Sequence, residues 1–289
     1  MNLEESILST LAYHDIFDYP LHIEEVNKYL INNKSNLQKI KKTINALARR
    51  NKVGEVRGLF YLKSRKNTVL IRRKRMNISK KKHKKAAFYL WLLKLIPSVK
   101  FVAISGALAM DNSTENDDID FLIISSKKTL WTTRLLSNLI LLPFKRKPTS
   151  KKQKDKACLN IFIDEQDLKI QDQNLYSAHE LAQLKPLYTR KNEYLKLIKA
   201  NNWVYKYLPN WSPHAVNEKD NRDLLQRLAN FLLIPLYMRP IENTLKWIQL
   251  RYMKSKITSE KIGNLQLFFH PSQTQQEILR KYKFKTKKL

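Results

Sequence analysis

One cysteine, Cys158, occurs in 289 residues, so no intrachain disulfide can form. A reducing, cytoplasmic setting fits that usage. Cys158 lies in an apolar stretch and reads as a buried, inert thiol. Long hydrophobic runs are also missing. The stretch Leu130–Phe144 is interrupted by Arg134 and Asn138, and Phe231–Met238 is shorter still, against the roughly 18–20 apolar residues that a membrane span requires. The N-terminus carries Glu4 and Glu5 and lacks a basic region followed by an apolar core, so it does not read as a signal peptide. A soluble protein with no membrane partner is expected. Acidic residues are scarce: 25 Asp+Glu face 55 Lys+Arg, a formal charge of +30. That field repels polycationic small molecules and attracts polyanions, with DNA or RNA the usual partner. A/T-rich coding also enriches Lys, Asn and Ile without selection for binding.

What is present suffices for real cores, since 43% of the residues are hydrophobic and wholesale disorder is excluded. The length suits two compact units and a tail. From Met1 to about Arg75 the pattern reads helix, helix, helix, hairpin. Leu3, Ile7, Leu8 and Leu11 mark the first helix, which Asp15–Pro20 breaks. Ile23, Val26, Tyr29 and Leu30 mark the second, and Leu37, Ile40, Ile44 and Leu47 the third. Lys52–Lys63 reads as two short strands turning at Arg57-Gly58. Between Lys63 and Lys85 stand twelve Lys/Arg and no acid, a solvated linker or helix surface that would suit phosphate contacts. Lys145–Lys156 reads as a basic mobile loop and Arg280–Lys288 as a basic tail. After Asp164 helices are expected over Leu175–Leu184, Glu193–Tyr207, Asp223–Leu233 and Ile241–Met253, with a loop over Leu208–Asn221. Trp131, Trp203, Trp211 and Trp247 read as packing residues.

The chemistry concentrates in Val99–Ser125, VKFVAISGALAMDNSTENDDIDFLIIS. Phe101–Ile104 reads as a buried strand ending at Ser105-Gly106, and Asp118–Ile124 as the next strand. Alternation places Asp118 and Asp120 on one face. Two adjacent carboxylates repel each other, and a hard divalent cation removes that cost, with Mg²⁺ (or Mn²⁺) the natural choice.

This order of strand, Gly, loop, Asp-x-Asp and strand resembles the nucleotidyltransferase superfamily, which includes DNA polymerase beta, CCA-adding enzymes and the minimal nucleotidyltransferases often found with HEPN partners. The resemblance covers about Phe88–Ile163 and implies that Asp118 and Asp120 hold metal. It implies that the backbone at Ser105, Gly106 and Ala107 receives the phosphates of a nucleoside triphosphate. A nucleoside monophosphate would pass to a hydroxyl acceptor with pyrophosphate leaving. Ala107 stands where the family has Ser or Gly. The third carboxylate, normally on a neighbouring strand, has Asn160 in its place on Ala157–Ile163, with Asp164 and Glu165 at that strand's end. Alternation puts Asn160 on the face of Cys158 and Phe162, with Leu159, Ile161 and Ile163 opposite. His179 and Glu180 lie on the helix that follows, either reaching the cleft or serving at the surface.

The first segment resembles a winged helix-turn-helix, which implies that the third helix reads nucleic acid through Lys41, Lys42, Asn45 and Arg49; protein contact is the other use of such a module. The whole chain also resembles winged-helix nucleotidyltransferase proteins of small-genome bacteria. The expected architecture is α+β: a winged helix over 1–75, a nucleotidyltransferase-type mixed sheet with helices over 76–190, and a helical region with a basic tail over 191–289. Three functions follow: nucleotide transfer on or near nucleic acid, a catalytically inactive fold with a nucleic-acid-binding or regulatory role, and antitoxin-like nucleotidylation of a protein partner.

Overall fold

A computed structural model describes residues 1–146, 153–216, 223–233, 235, 239–254, 260–269 and 272–289. Helix α1 (Leu3–Asp15) starts at a capping box, in which Asn2 and Glu5 each accept the other's backbone N–H. Helices α2 (Ile23–Lys28) and α3 (Leu37–Arg49) follow, and α3 buries Ile40, Ile44 and Leu47 completely. Strands β1 (Val53–Val56) and β2 (Leu59–Leu62) pair antiparallel. Arg57 and Gly58 both take positive φ, 54° and 76°, the backbone that a two-residue hairpin requires. Leu21, between α1 and α2, bridges to Phe60 on β2, so the hairpin closes over the three helices.

The basic run proves to be no linker. Helix α4 (Asn67–Leu93) runs unbroken through the expected boundary at 75/76. Its arginines tie the first module down. Arg72 donates to Glu25 at 2.7 and 2.9 Å, and Arg75 to the Phe17 carbonyl at 2.8 Å. Arg65, just before the helix, donates to Asp15 at 2.6 Å.

Strands β3 (Val99–Ile104), β4 (Ile119–Ser125), β5 (Ala157–Asp164), β6 (Lys185–Thr189), β7 (Lys261–Ile262) and β8 (Gln266–Phe268) form one mixed sheet in the order β6-β3-β4-β5-β8-β7. Only the β4–β5 pair is parallel. Helix α5 (Gly106–Ala109) joins β3 to the loop before β4. On one face of the sheet lie α4's apolar end, α6 (Leu130–Ile140) and α11 (Arg239–Lys254). The other face carries α7 (Leu175–Gln183), α8 (Glu193–Ala200), α9 (Val204–Tyr207) and α12 (Ser272–Thr286). Helix α10 (Leu224–Leu233) sits against the end of α4.

Several expectations are corrected. The region 191–289 is not purely helical, because β7 and β8 extend the sheet. The basic tail is helix α12, whose Ile278 is buried and whose Lys285 pairs with Asp15. The single helix expected over Glu193–Tyr207 divides at Asn201, whose buried side chain donates to the carbonyls of Leu168 and Leu197 and accepts from Ile170. Trp247 is 62% exposed rather than packed. Of the loop expected over Leu208–Asn221, 217–221 lie outside the described residues, as do 147–152 of the basic loop.

His179 does not reach a cleft. It is fully buried and stacks on Tyr13 with ring centroids 3.9 Å apart, beside His14 at 5.1 Å. Burial lowers His14 to about 4 and holds His179 well below the ordinary histidine range, with His14 adding to the effect. Both are therefore neutral when folded, whereas the unfolded chain takes up protons near pH 6.5. Stability contributed by neutral His14 is complete above that value and falls as pH drops from about 6.5 to about 4. The loss from His14 alone is roughly 3 kcal/mol. Thermal melts from pH 7 to 4 should show this slope, and His179→Phe, which keeps the stack, should flatten part of it. Parallel slopes in the two proteins would refute the assignment.

Candidate metal and nucleotide site

Strand β3 is buried along its whole length and ends at Ile104. Ser105 continues extended, and its N–H donates to the Asp120 carbonyl at 3.0 Å. Gly106 then turns with φ 63°, a region that L side chains rarely adopt. A Cβ there would lie 2.9 Å from Asp120 Oδ2. Backbone and space both demand glycine, and the carboxylate is the neighbour that makes the space tight.

The loop into β4 is held from inside. Asp117 accepts from the Thr114 N–H at 2.7 Å and from its hydroxyl at 2.6 Å, which commits that carboxylate to the turn. Lys82, 1% exposed, donates to the carbonyls of Asp117 at 2.6 Å and Glu115 at 3.3 Å, and to Asp155 at 2.8 Å. Lys82 is hidden in the sequence by the run of like charges around it. Its spacing from the buried Ser79, Ala86 and Tyr89 on α4 is the signal that would have found it.

Asp118 immediately precedes β4 and Asp120 lies within it. Their carboxylates and the Cys158 thiol converge, with one ligand atom from each lying within 4.8 Å of the others. Burial, followed by repulsion from Asp118, raises the Asp120 carboxyl to about 7. Burial and the carboxylates of Asp120 and Asp118 also push the Cys158 thiol up. Arg146 donates to Asp118 Oδ2 at 3.0 Å and approaches Cys158 Sγ at 3.9 Å. The two carboxylates fit a hard divalent cation: they are pressed together, and Arg146 offsets their charge only in part.

Strand alternation fails where it mattered most. Asp120 pairs with Cys158 and Phe121 with Leu159, but Leu122 pairs with Ile161. Asn160 is the extra residue of a bulge. Its carbonyl accepts from the Phe269 N–H at 2.9 Å, and it is 1% exposed. The bulge moves Ile161 and Ile163 into the core of Leu122 and Ile124, while Leu159 and Phe162 pack in the opposite core. The position opposite Asp120 therefore belongs to Cys158, which is partly exposed rather than fully buried. Asp164 and Glu165 cannot substitute. Asp164 lies six residues beyond Cys158, about 20 Å along a strand, and accepts from the Lys128 and Gln166 N–H groups. Glu165 accepts from the Lys127 N–H and from Lys100.

A cavity of about 260 Å³ opens on the Asp120 face, lined by Ser105, Leu122, Ile161, Tyr176, Glu180 and Phe268 among others. The Ser105 hydroxyl is buried without a partner among the described residues. Ala107 is exposed, and its carbonyl accepts from Asn112 at 2.9 Å. Lys41, Lys42, Asn45 and Arg49 all stand exposed on α3, away from its buried Ile40, Ile44 and Leu47. Comparison with protein-family models, with curated proteins and with solved structures finds no match to this chain.

Proposed function

We propose that this chain is a divalent-cation-dependent nucleotidyltransferase with an N-terminal winged-helix module. One observation carries the reading: a strand-end glycine at φ 63° sits against the second carboxylate of an Asp-x-Asp pair on the adjacent strand. In the proposed roles Asp118 and Asp120 hold Mg²⁺ or Mn²⁺. The backbone around Gly106 approaches the triphosphate without side-chain obstruction, and Arg146 supplies a cation for phosphate oxygens. The bound ion would neutralise phosphate charge and make the acceptor hydroxyl more acidic. The three helices and bridged hairpin support the winged-helix part, with α3 presenting Lys41, Lys42, Asn45 and Arg49 to DNA or RNA. If those side chains meet phosphates, affinity should fall steeply with salt in a log–log plot. An unchanged slope after replacing all four by alanine would remove α3 as the contact.

A second reading, an inactive fold that binds nucleotide, is favoured by Cys158 opposite Asp120, where a carboxylate would complete the site. Incubation with labelled nucleoside triphosphates, Mg²⁺ or Mn²⁺, and RNA, DNA or cell lysate tests both. Label entering nucleic acid supports the first reading, and label entering protein points to nucleotidylation of a partner. With no label in the wild type, Cys158→Asp should create or raise transfer, and its failure to do so would favour a purely binding role.

A further inference from the structure

Helix α10 is docked with its polarity reversed. Its buried side chains are Gln226 and Asn230. Gln226 donates to the Trp91 carbonyl at 3.0 Å, and Asn230 to those of Lys94 and Leu95 at 3.1 and 2.9 Å. These carbonyls lie at the C-terminal end of α4, where a helix leaves acceptors without intrahelical donors. Trp91 returns a hydrogen bond to Asp223 at 2.8 Å. The seat is therefore polar and specific, and the apolar side faces out. Leu224, Leu225, Leu228, Phe231 and Leu232 are between 53% and 75% exposed. An amphipathic helix seated for the core would lie the other way up.

Charge selects the occupant. Helices α10 and α11 carry Arg227, Lys246, Arg251 and Lys254, and their one acid, Glu242, is buried and accepts the N–H groups of Trp131 and Thr132. A second copy would bring the same +30 field against this face. Nucleic acid would leave the leucines in water. An anionic bilayer surface satisfies both demands, with acyl chains for the apolar side and lipid phosphates for Arg227 on α10 and for the chain's +30 field.

We propose that the exposed face of α10 seats this protein on an anionic lipid surface, lying in the headgroup layer rather than crossing it. Among the described residues no helix is long and apolar enough to cross, so the proposed contact is with the surface alone.

The test is co-sedimentation of the full chain with phosphatidylcholine vesicles, with and without phosphatidylglycerol, at low and high salt. Wild-type protein should bind the anionic vesicles and keep a bound fraction at high salt. Leu225→Ser combined with Phe231→Ser and Leu232→Ser should weaken binding about tenfold or more and remove that fraction, at an unchanged melting temperature. Equal binding by this variant would overturn the proposal, leaving charge alone as the attraction. So would a wild-type dimer without lipid that the same changes dissolve, since the face would then belong to a second copy. Phe231→Trp provides a reading that does not depend on a disruptive change. Brominated acyl chains should quench its added fluorescence, and no quenching with bound vesicles would equally refute the seat.

Discussion

Mg²⁺ or Mn²⁺ with a nucleoside triphosphate should raise the melting temperature of the wild-type protein if the proposed function holds, and asparagine at both Asp118 and Asp120 should abolish that rise. The two carboxylates and Cys158 Sγ are the one group of three metal-ligating side chains among the described residues, so no second cluster stands ready to replace them. Asparagine keeps the shape and removes the charge, so Gly106 still fits against position 120. The empty double variant should also melt no lower than the wild type, because the burial cost and the repulsion that raise Asp120 both disappear with the charges. Thermal shift titrations of both proteins with metal, nucleotide and the two together check this. A double variant that retains the full rise would place the metal site elsewhere.

The second large effect belongs to Lys82→Met. The substitution keeps the length of the apolar stem and removes an ammonium that serves two loop carbonyls and Asp155. Among the described residues Asp155 would keep Lys85 as its ion-pair partner, with a side chain 52% exposed, the Glu115 carbonyl would lose its donor, and the Asp117 carbonyl would be left with the Asp155 N–H at 3.0 Å. Leaving a buried acceptor without its donor costs about 1–3 kcal/mol. Because the freed loop ends at Asp118, metal-dependent stabilisation should weaken as well, by about tenfold in apparent affinity. Lys81→Met is the control: Lys81 is exposed on the same helix and its loss should move stability by no more than about 0.5 kcal/mol. Equal stability of the two variants in denaturant titrations would show that Lys82 anchors nothing.

Local pattern made much of this molecule legible. The three N-terminal helices, the turn at Arg57-Gly58, the strands around Gly106 and the convergence of Asp118 with Asp120 all follow from spacing within a few residues. What escaped depends on partners distant in sequence. The bulge at Asn160 obeys no periodicity, since an extra residue in one strand is defined only against the register of its neighbour. It displaced the whole expectation about the third ligand by two positions, from Asn160 to Cys158. Strand β6, with Pro186 in it, lies at the sheet edge, where a missing N–H is tolerated, and a five-residue edge strand leaves little pattern. His14 and His179 come from helices far apart in the chain, and only the docking of the first module on α7 brings their rings together. Charge misled in the other direction. Read as a run, Lys63–Lys85 looks uniformly solvated, yet Arg65, Arg72, Arg75 and Lys82 spend their donors inside the protein.

Those same donors turn α4 into the arm of a caliper. An uninterrupted helix of 27 residues is about 40 Å of stiff rod, clamped to the first module near one end and to the Asp118 loop further along. A polymer gripped by α3 would meet Asp118 and Asp120 at one set offset, with no hinge to take up slack. The molecule would then act by measured distance, choosing among positions on a substrate by how far each lies from the point that is held.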